Sequence, residues 1–429
     1  MAHSDNQTEL LLLPHVVIVT DVHYWRRLTG AQQRIFALVE FLRQRSTKLT
    51  TVFAGSLENS SASDDRVQIT AAGLDVVSLI DDWRPEGWLG RFKWQLNCTV
   101  NGLLNRLNPA RKTNTLDRSS PPRRLADFRT PLLVKRLNAQ LKILQPKIVI
   151  VEYVTLAYLV ANRARRAEAT YVVDTHDVLS SRCEQFRDHG FDHWVELTAE
   201  EESVALRLFD LVIAIEAQEA LRFGELIDHQ RPVVVAGHPV EWSTCPPITT
   251  PANEISVGYF ASGNAANRHA LIWFFEKVWP EVHRKLPQVE FLIAGTIGET
   301  LMDESLPDQV RLLGSVDQPV DFYRAVNVVV NPIQFGTGLK IKNLEALAFG
   351  KPLVTTVHGG AGMSDSEFGK LPCFISDSAQ SMVAQLIQIC TDEELRNRTC
   401  ADSAQFVSQQ LTPEKVFGPL LQRLKSLMA

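Results

Sequence analysis

The chain has no stretch of about 18 consecutive apolar residues, the length a membrane-spanning helix requires. It carries only six cysteines in 429 residues, at positions 98, 183, 245, 373, 390 and 400. No pair has C-x-x-C spacing, and none has a histidine at zinc-ligand spacing. This excludes a zinc framework and fits reduced thiols in a reducing compartment. A positive balance is missing too: the formal net charge is −5, so there is no global reason to expect nucleic acid. The short apolar run 10–14 follows an acidic, polar leader without a basic segment, so no signal peptide is expected. No acidic cluster of the D-x-D kind falls on a loop, so no metal is expected. No repeat with a period of 20–50 residues occurs.

What is present is an ordinary globular composition, 45% hydrophobic and 22% charged. A length of 429 favours two domains, because single cores stop growing at about 250–300 residues. Short β-branched runs read as buried parallel strands at 15–20, 49–54, 74–80, 148–152, 170–174, 211–215 and 232–236. Helical spacing is found at 31–44 and 196–209. A segment with three prolines and no period, 242–253, reads as a linker. A second series follows, with strands at 255–260, 289–294, 310–313, 328–331 and 352–356. Its helices are expected at 269–286, 320–325, 341–349, 378–390 and 392–409, with a last amphipathic helix over 413–428. Strand–helix alternation of this kind predicts an α/β fold of two doubly wound, Rossmann-like domains. The expected domains are 1–241 and 253–409, with 410–429 crossing back to the first. Ligands bind at the carboxyl ends of such sheets, which here would face a central cleft.

The densest motif is FGTGLKIKNLEALAFGKP, from Phe335 to Pro352. A strand ending in Asn331-Pro332 feeds a glycine loop and then a helix. Glycines let backbone N–H groups approach a ligand, and a helix N-terminus adds about half a positive charge. Lys340 and Lys342 lie in the first turn, where cations oppose the helix dipole. They therefore point to an anion such as a diphosphate. Glu345 shares a face with Lys342 and is suited to accept hydrogen bonds from a ribose.

With Gly359-Gly360-Ala361-Gly362 after the next strand, this motif resembles the donor half of family 4 retaining GT-B glycosyltransferases (glycosyltransferase group 1). Further pieces are similar to that family: Phe260-Ala-Ser-Gly263 with Asn267, Trp273-Phe274, Trp279-Pro280, 291–295, 310–314 and Asp321-Phe322-Tyr323. In the first half, Thr29-Gly-Ala-Gln-Gln-Arg34 resembles the family's first glycine loop, Thr175-His176-Asp177 its His–Asp pair, and His238-Pro239-Val240 its domain exit. The resemblance is continuous over 255–362, patchier over 16–240 and absent in 83–142.

The resemblance implies transfer of a sugar from a nucleotide-diphosphate donor to a glycan or lipid-linked acceptor hydroxyl, in cell-surface glycan synthesis. It implies a donor site built from Gly30, Gly263, Arg268, Thr337, Gly338, Lys340 and Glu345. Glu345 would bind the ribose, Lys340 the diphosphate and His176 the transferring sugar, with His176 and Lys340 the catalytic pair. No cofactor beyond the nucleotide sugar is implied. The sequence departs from the family twice. The family's sugar-binding glutamate, eight residues before the ribose glutamate, is replaced by Thr337. The first donor-domain loop lacks the family's arginine and lysine, leaving Arg268 or Lys340 to supply the charge. A nucleotide-sugar epimerase of the same fold, using Asp21, Asp174 or Asp177, and a non-catalytic nucleotide-sugar-binding scaffold are the competing readings.

The segment 83–142 holds thirteen Arg or Lys against three acidic residues. Leu89, Phe92, Leu96, Val100, Leu103 and Leu107 recur there at helical spacing, beside Trp83, Trp88 and Trp94. Two readings follow: a helix lying on an anionic membrane surface, or a helix packed on the first domain. The expected location is cytoplasmic, with peripheral attachment to the inner membrane face in the first case.

Overall fold

The computed structural model describes residues 12–57, 65–82, 122–161, 168–242, 255–302, 305–316, 318–363 and 371–428. Residues 83–121 of the basic segment and 243–253 of the expected linker lie outside the described residues.

Among the described residues, fifteen strands follow in chain order: β1 (Val16–Thr20), β2 (Leu49–Phe53), β3 (Val76–Ser78), β4 (Arg123–Arg124), β5 (Ile148–Glu152), β6 (Thr170–Asp174), β7 (Val195–Glu196), β8 (Leu211–Ala214), β9 (Val233–Val235), β10 (Ser256–Phe260), β11 (Glu290–Ala294), β12 (Val310–Gly314), β13 (Val328–Asn331), β14 (Leu353–Thr356) and β15 (Phe374–Ser376). Apart from the short β4–β7 pair, they form two parallel sheets, ordered β3-β2-β1-β5-β6-β8-β9 and β12-β11-β10-β13-β14-β15. β1 and β5 are buried at every position, as their unbroken apolar runs require. Both faces of each sheet are covered, giving four apolar cores.

Strand order reverses between β1 and β5 in the first sheet and between β10 and β13 in the second. A crevice opens at such switch points, at the carboxyl ends of the strands. Most of the residues considered below follow the carboxyl ends of β1, β5, β6, β8, β10 and β13.

Three expectations are corrected. The helix expected over 269–286 is two helices, Ala265–Lys277 and Trp279–Lys285. Pro280 has no N–H for an interior helical bond, so it sits in the first turn of a new helix. The helix Pro131–Leu144, reaching past the end of the basic segment 83–142, was not expected. Helices Asp65–Ala71, Leu179–Asp188 and Ala217–Leu226, and strand β15, were not expected. The last helix, Pro413–Met428, buries Phe417, Leu420 and Leu424 against the core of the first sheet. No helix among the described residues is long and apolar enough to cross a membrane.

Candidate functional site

Neighbouring strands β5 and β6 end in register, with Glu152 opposite Asp174. Two buried carboxylates side by side repel each other, so a cation is needed between them. Arg34 supplies it. Its side chain is fully buried, and Nη1 donates to Asp174 Oδ2. Nη2 donates to the Ala236 carbonyl at 2.7 Å and Nε to Gly237 at 3.1 Å. His176 joins the cluster through Nε2, 2.8 Å from Glu152 Oε2 and 3.4 Å from Arg34 Nη1. Its ring stacks on Tyr153 with centroids 4.3 Å apart. Both residues have left-handed backbones, φ 62° for His176 and 66° for Tyr153. Such conformations persist only where surroundings enforce them, and they cluster at functional sites.

Burial and the adjacent Asp174 push the Glu152 carboxyl up to about 7, against the hydrogen bond from His176. His238, buried beside Arg34, is pulled down to about 3 by burial and by the Arg34 charge, so it is neutral. Glu152, Asp174 and His176 offer ligand atoms within 4.8 Å of one another, a set that suits a divalent ion. The Arg34 guanidinium already places a positive charge against two of these three groups.

On the second sheet, β13 leads into the loop Ile333–Lys340 and the helix Ile341–Ala348. Gly336 and Gly338 have φ of 101° and 80°, which L-residues with side chains rarely adopt. Lys340 folds back on this loop. Its Nζ donates to the carbonyls of Gly336 at 2.9 Å, Thr337 at 3.3 Å and Gly338 at 2.6 Å. All three ammonium hydrogens are thereby used, so Lys340 braces the loop from within. Burial pulls Lys340 down to about 8, against the attraction of Asp177. Lys342 reaches Asn267 Oδ1 at 2.8 Å and Tyr259 OH at 3.4 Å. Burial and the Lys340 charge pull it down to about 7.

The first domain closes onto this loop. Gly338 N–H donates to Glu219 Oε1 at 2.9 Å and Gly336 N–H to Gln185 Oε1 at 2.8 Å. Thr337 Oγ1 donates to Asp177 Oδ1 at 3.1 Å, and Arg182 Nη1 donates to the Thr337 carbonyl at 3.2 Å. Phe335 packs against Phe186 and stacks on His189 at 4.0 Å. Gly30 opens the helix Gly30–Arg43, and a β-carbon there would come within 2.7 Å of Ile341 Cδ1. Glu345 accepts from Tyr323 OH at 3.3 Å and bonds Gln33 of the first domain, while burial raises its pKa.

The structure thus brings Gly30, His176, Thr337, Gly338, Lys340 and Glu345 to one interdomain boundary. Gly263 stands where a β-carbon would come within 2.9 Å of the Thr296 carbonyl, and its N–H donates to Thr296 Oγ1. Arg268 lines a separate cavity of about 280 Å3 with Phe191, His269, Trp273 and Glu276, where none of the other expected site residues lies. Sequence reasoning missed Glu152, Arg182, Gln185 and Glu219, and gave Arg34 no role. Only Glu152 carried a signal, a single acid closing an apolar strand.

Glu219 offers a test of this closure. Burial, with the Asp177 and Glu216 charges, pushes its carboxyl up to about 8. A folded pKa above the unfolded value means that protonation favours the fold. That contribution is complete below about 4.5 and lost as pH rises through about 8. Glu219→Gln retains an oxygen for the Val178 and Gly338 N–H groups. The melting temperature of the variant should therefore fall less than that of the wild type between pH 5 and pH 8. Parallel curves would remove Glu219 as a source of the dependence.

Comparison with known proteins adds three findings. Residues 255–392 match the family model for glycosyl transferases group 1. A curated relative, an uncharacterized 44.6 kDa protein in the cps region of Klebsiella pneumoniae, is 23% identical over 166 residues; the match spans 36% of this chain and 42% of that protein. Solved structures align over nearly the whole chain. Sucrose-phosphate synthase from Thermosynechococcus elongatus is 14% identical, with a TM-score of 0.68 and coverage of 96% and 99% of the two chains. Anabaena HepE, in complex with UDP and glucose, is 15% identical, with a TM-score of 0.63 and the same coverage. The pneumococcal O-GlcNAc transferase GtfA, in complex with UDP and GlcNAc, is 12% identical, with a TM-score of 0.64 and coverage of 97% and 99%. The chain has the two-sheet GT-B fold, and its residues 255–392 match the glycosyl transferases group 1 model.

Proposed function

We propose that the protein is a glycosyltransferase that moves a sugar from a nucleoside-diphosphate donor to an acceptor hydroxyl in cell-surface polysaccharide synthesis. The observation that carries this reading is the meeting of the glycine loop and Glu345 with Gly30, His176 and Asp177 at the carboxyl ends of the two sheets. UDP in the HepE and GtfA structures supports a nucleotide-sugar donor, and the relative from a cps region supports a polysaccharide or lipid-linked acceptor. Glu345 binds the ribose. The helix N-terminus, behind a loop braced by Lys340, stabilises charge growing on the departing diphosphate. His176 contacts the transferring sugar.

Transfer with retention, without metal and without a further cofactor, is part of the same proposal. Arg34 supplies the one cation that the Glu152–Asp174 pair calls for. A cytoplasmic location at the inner membrane face also belongs to it. Of the three carboxylates an epimerase could use, Asp174 is paired with Arg34 and Asp177 with Arg182, which leaves Asp21, its pKa raised by burial, as the base that reading would need.

The test is a thermal-shift panel of UDP-glucose, UDP-N-acetylglucosamine and GDP-mannose, followed by detection of free UDP or GDP in the presence of acceptor. Release without an epimerised sugar is the expected result. An epimerised sugar would favour the epimerase, and no nucleotide binding would favour a scaffold. Glu345→Ala should weaken diphosphate binding by about 1–3 kcal/mol, the cost of lost charge-assisted hydrogen bonds. Undiminished affinity in calorimetry would remove Glu345 from the ribose site.

A further inference from the structure

The geometry points to Asp177 as the carboxylate that recognises the donor sugar, supplied by the first domain in place of the glutamate missing at position 337. This rests on the donor-site reading above. A sugar hydroxyl donates a hydrogen bond, and a carboxylate accepts it about twice as strongly as a neutral oxygen does. Thr337 has no carboxylate to offer. Its hydroxyl instead donates to Asp177 Oδ1 at 3.1 Å, from across the domain boundary. Arg182 Nη1 donates to the same oxygen at 3.3 Å and also holds the Thr337 carbonyl at 3.2 Å.

These two donors fix the carboxylate on one side only. Both bonds fall on Oδ1, and Oδ2 takes part in neither. The side chain is 21% exposed, so it is presented at the boundary and not sealed in a core. Gly338 makes the approach feasible, because a β-carbon there would overlap Asp177 Oδ1. Asp177 also follows His176 directly, so two groups aimed at the sugar leave the same turn after β6. The acid has moved from the glycine loop to the facing loop, and the threonine left behind has become its support.

A contact that only latched the domains would place Asp177 here without any sugar-binding role. The two cases separate in Asp177→Asn, which keeps an oxygen for Thr337 and Arg182 but loses the charge. Calorimetry with UDP, GDP, UDP-glucose, UDP-N-acetylglucosamine and GDP-mannose measures how much the sugar adds to diphosphate affinity. For the preferred donor, Asp177→Asn should remove about ten- to hundredfold of that sugar-dependent gain. Affinity for the bare diphosphate should stay within about threefold, far less than one lost charge-assisted bond would cost. Adding Thr337→Glu to Asp177→Asn should restore the gain, a coupling that a latch would not produce. An undiminished sugar-dependent gain in Asp177→Asn, with diphosphate binding intact, overturns the assignment alone. Absence of all nucleotide binding in the wild type overturns the donor reading and this assignment together.

Discussion

Arg34→Leu should lower the stability of the protein by about 3–5 kcal/mol, the cost of removing one partner from a buried ion pair. Arg34 is wholly buried and makes hydrogen bonds to Asp174, Ala236 and Gly237. Leucine fills most of the space but offers no donor. Asp174 would then lose the partner of Oδ2, while its Oδ1 already lacks one among the described residues. Glu152 would face an unneutralised neighbour. The melting temperature should fall by on the order of 10 °C.

The loss should also depend on pH. Without Arg34 the Glu152 carboxyl, already pushed up to about 7 by burial and Asp174, loses a charge that opposed that rise. Protonation then favours the fold, so the deficit shrinks as pH falls below about 7 and widens as pH rises above it. Arg34→Lys, which keeps one charge, should fall between the two. A deficit that stays constant across pH would mean that lost packing, and not lost charge, is responsible.

The core of this arrangement was legible in the sequence because parallel strands buried on both faces need continuous β-branched runs. HVVIVT, IVIVE and TYVVD leave little alternative. The glycine loop was legible for a related reason: only glycine tolerates the left-handed backbone at 336 and 338. The missing parts have physical explanations too. The helix Leu179–Asp188, which carries Arg182 and Gln185, has few apolar residues and so a weak pattern. Arg34 and Asp174 are 140 residues apart, and no local rule pairs them. Lys340 reads in the sequence as a charge for an anion, but its turn back onto three loop carbonyls depends on the loop's fold and not on helical spacing.

Gly338→Ala should reduce transfer about a hundredfold while leaving the two sheets folded. Two costs fall at one position. Alanine at φ 80° adopts a left-handed backbone, at about 1–2 kcal/mol. Its β-carbon would also overlap Asp177 Oδ1, lie 3.2 Å from the Asp177 carboxyl carbon and lie 3.3 Å from the His176 carbonyl. The backbone of His176 cannot retreat far, because its ring is held by Glu152 and stacked on Tyr153. The loop must therefore move away from the first domain, or Asp177 must swing out and release Thr337. Either shift displaces the groups that surround the sugar by about 1 Å, a misplacement that costs about a hundredfold in rate. Affinity for UDP or GDP should change far less, because Glu345 lies about one turn into the helix and bonds Gln33 and Tyr323 independently. Turnover measured beside diphosphate affinity separates the cases. Equal losses in both would place Gly338 in the nucleotide site and not at the sugar, and an unchanged rate would mean that the two domains do not meet at this loop when the reaction occurs.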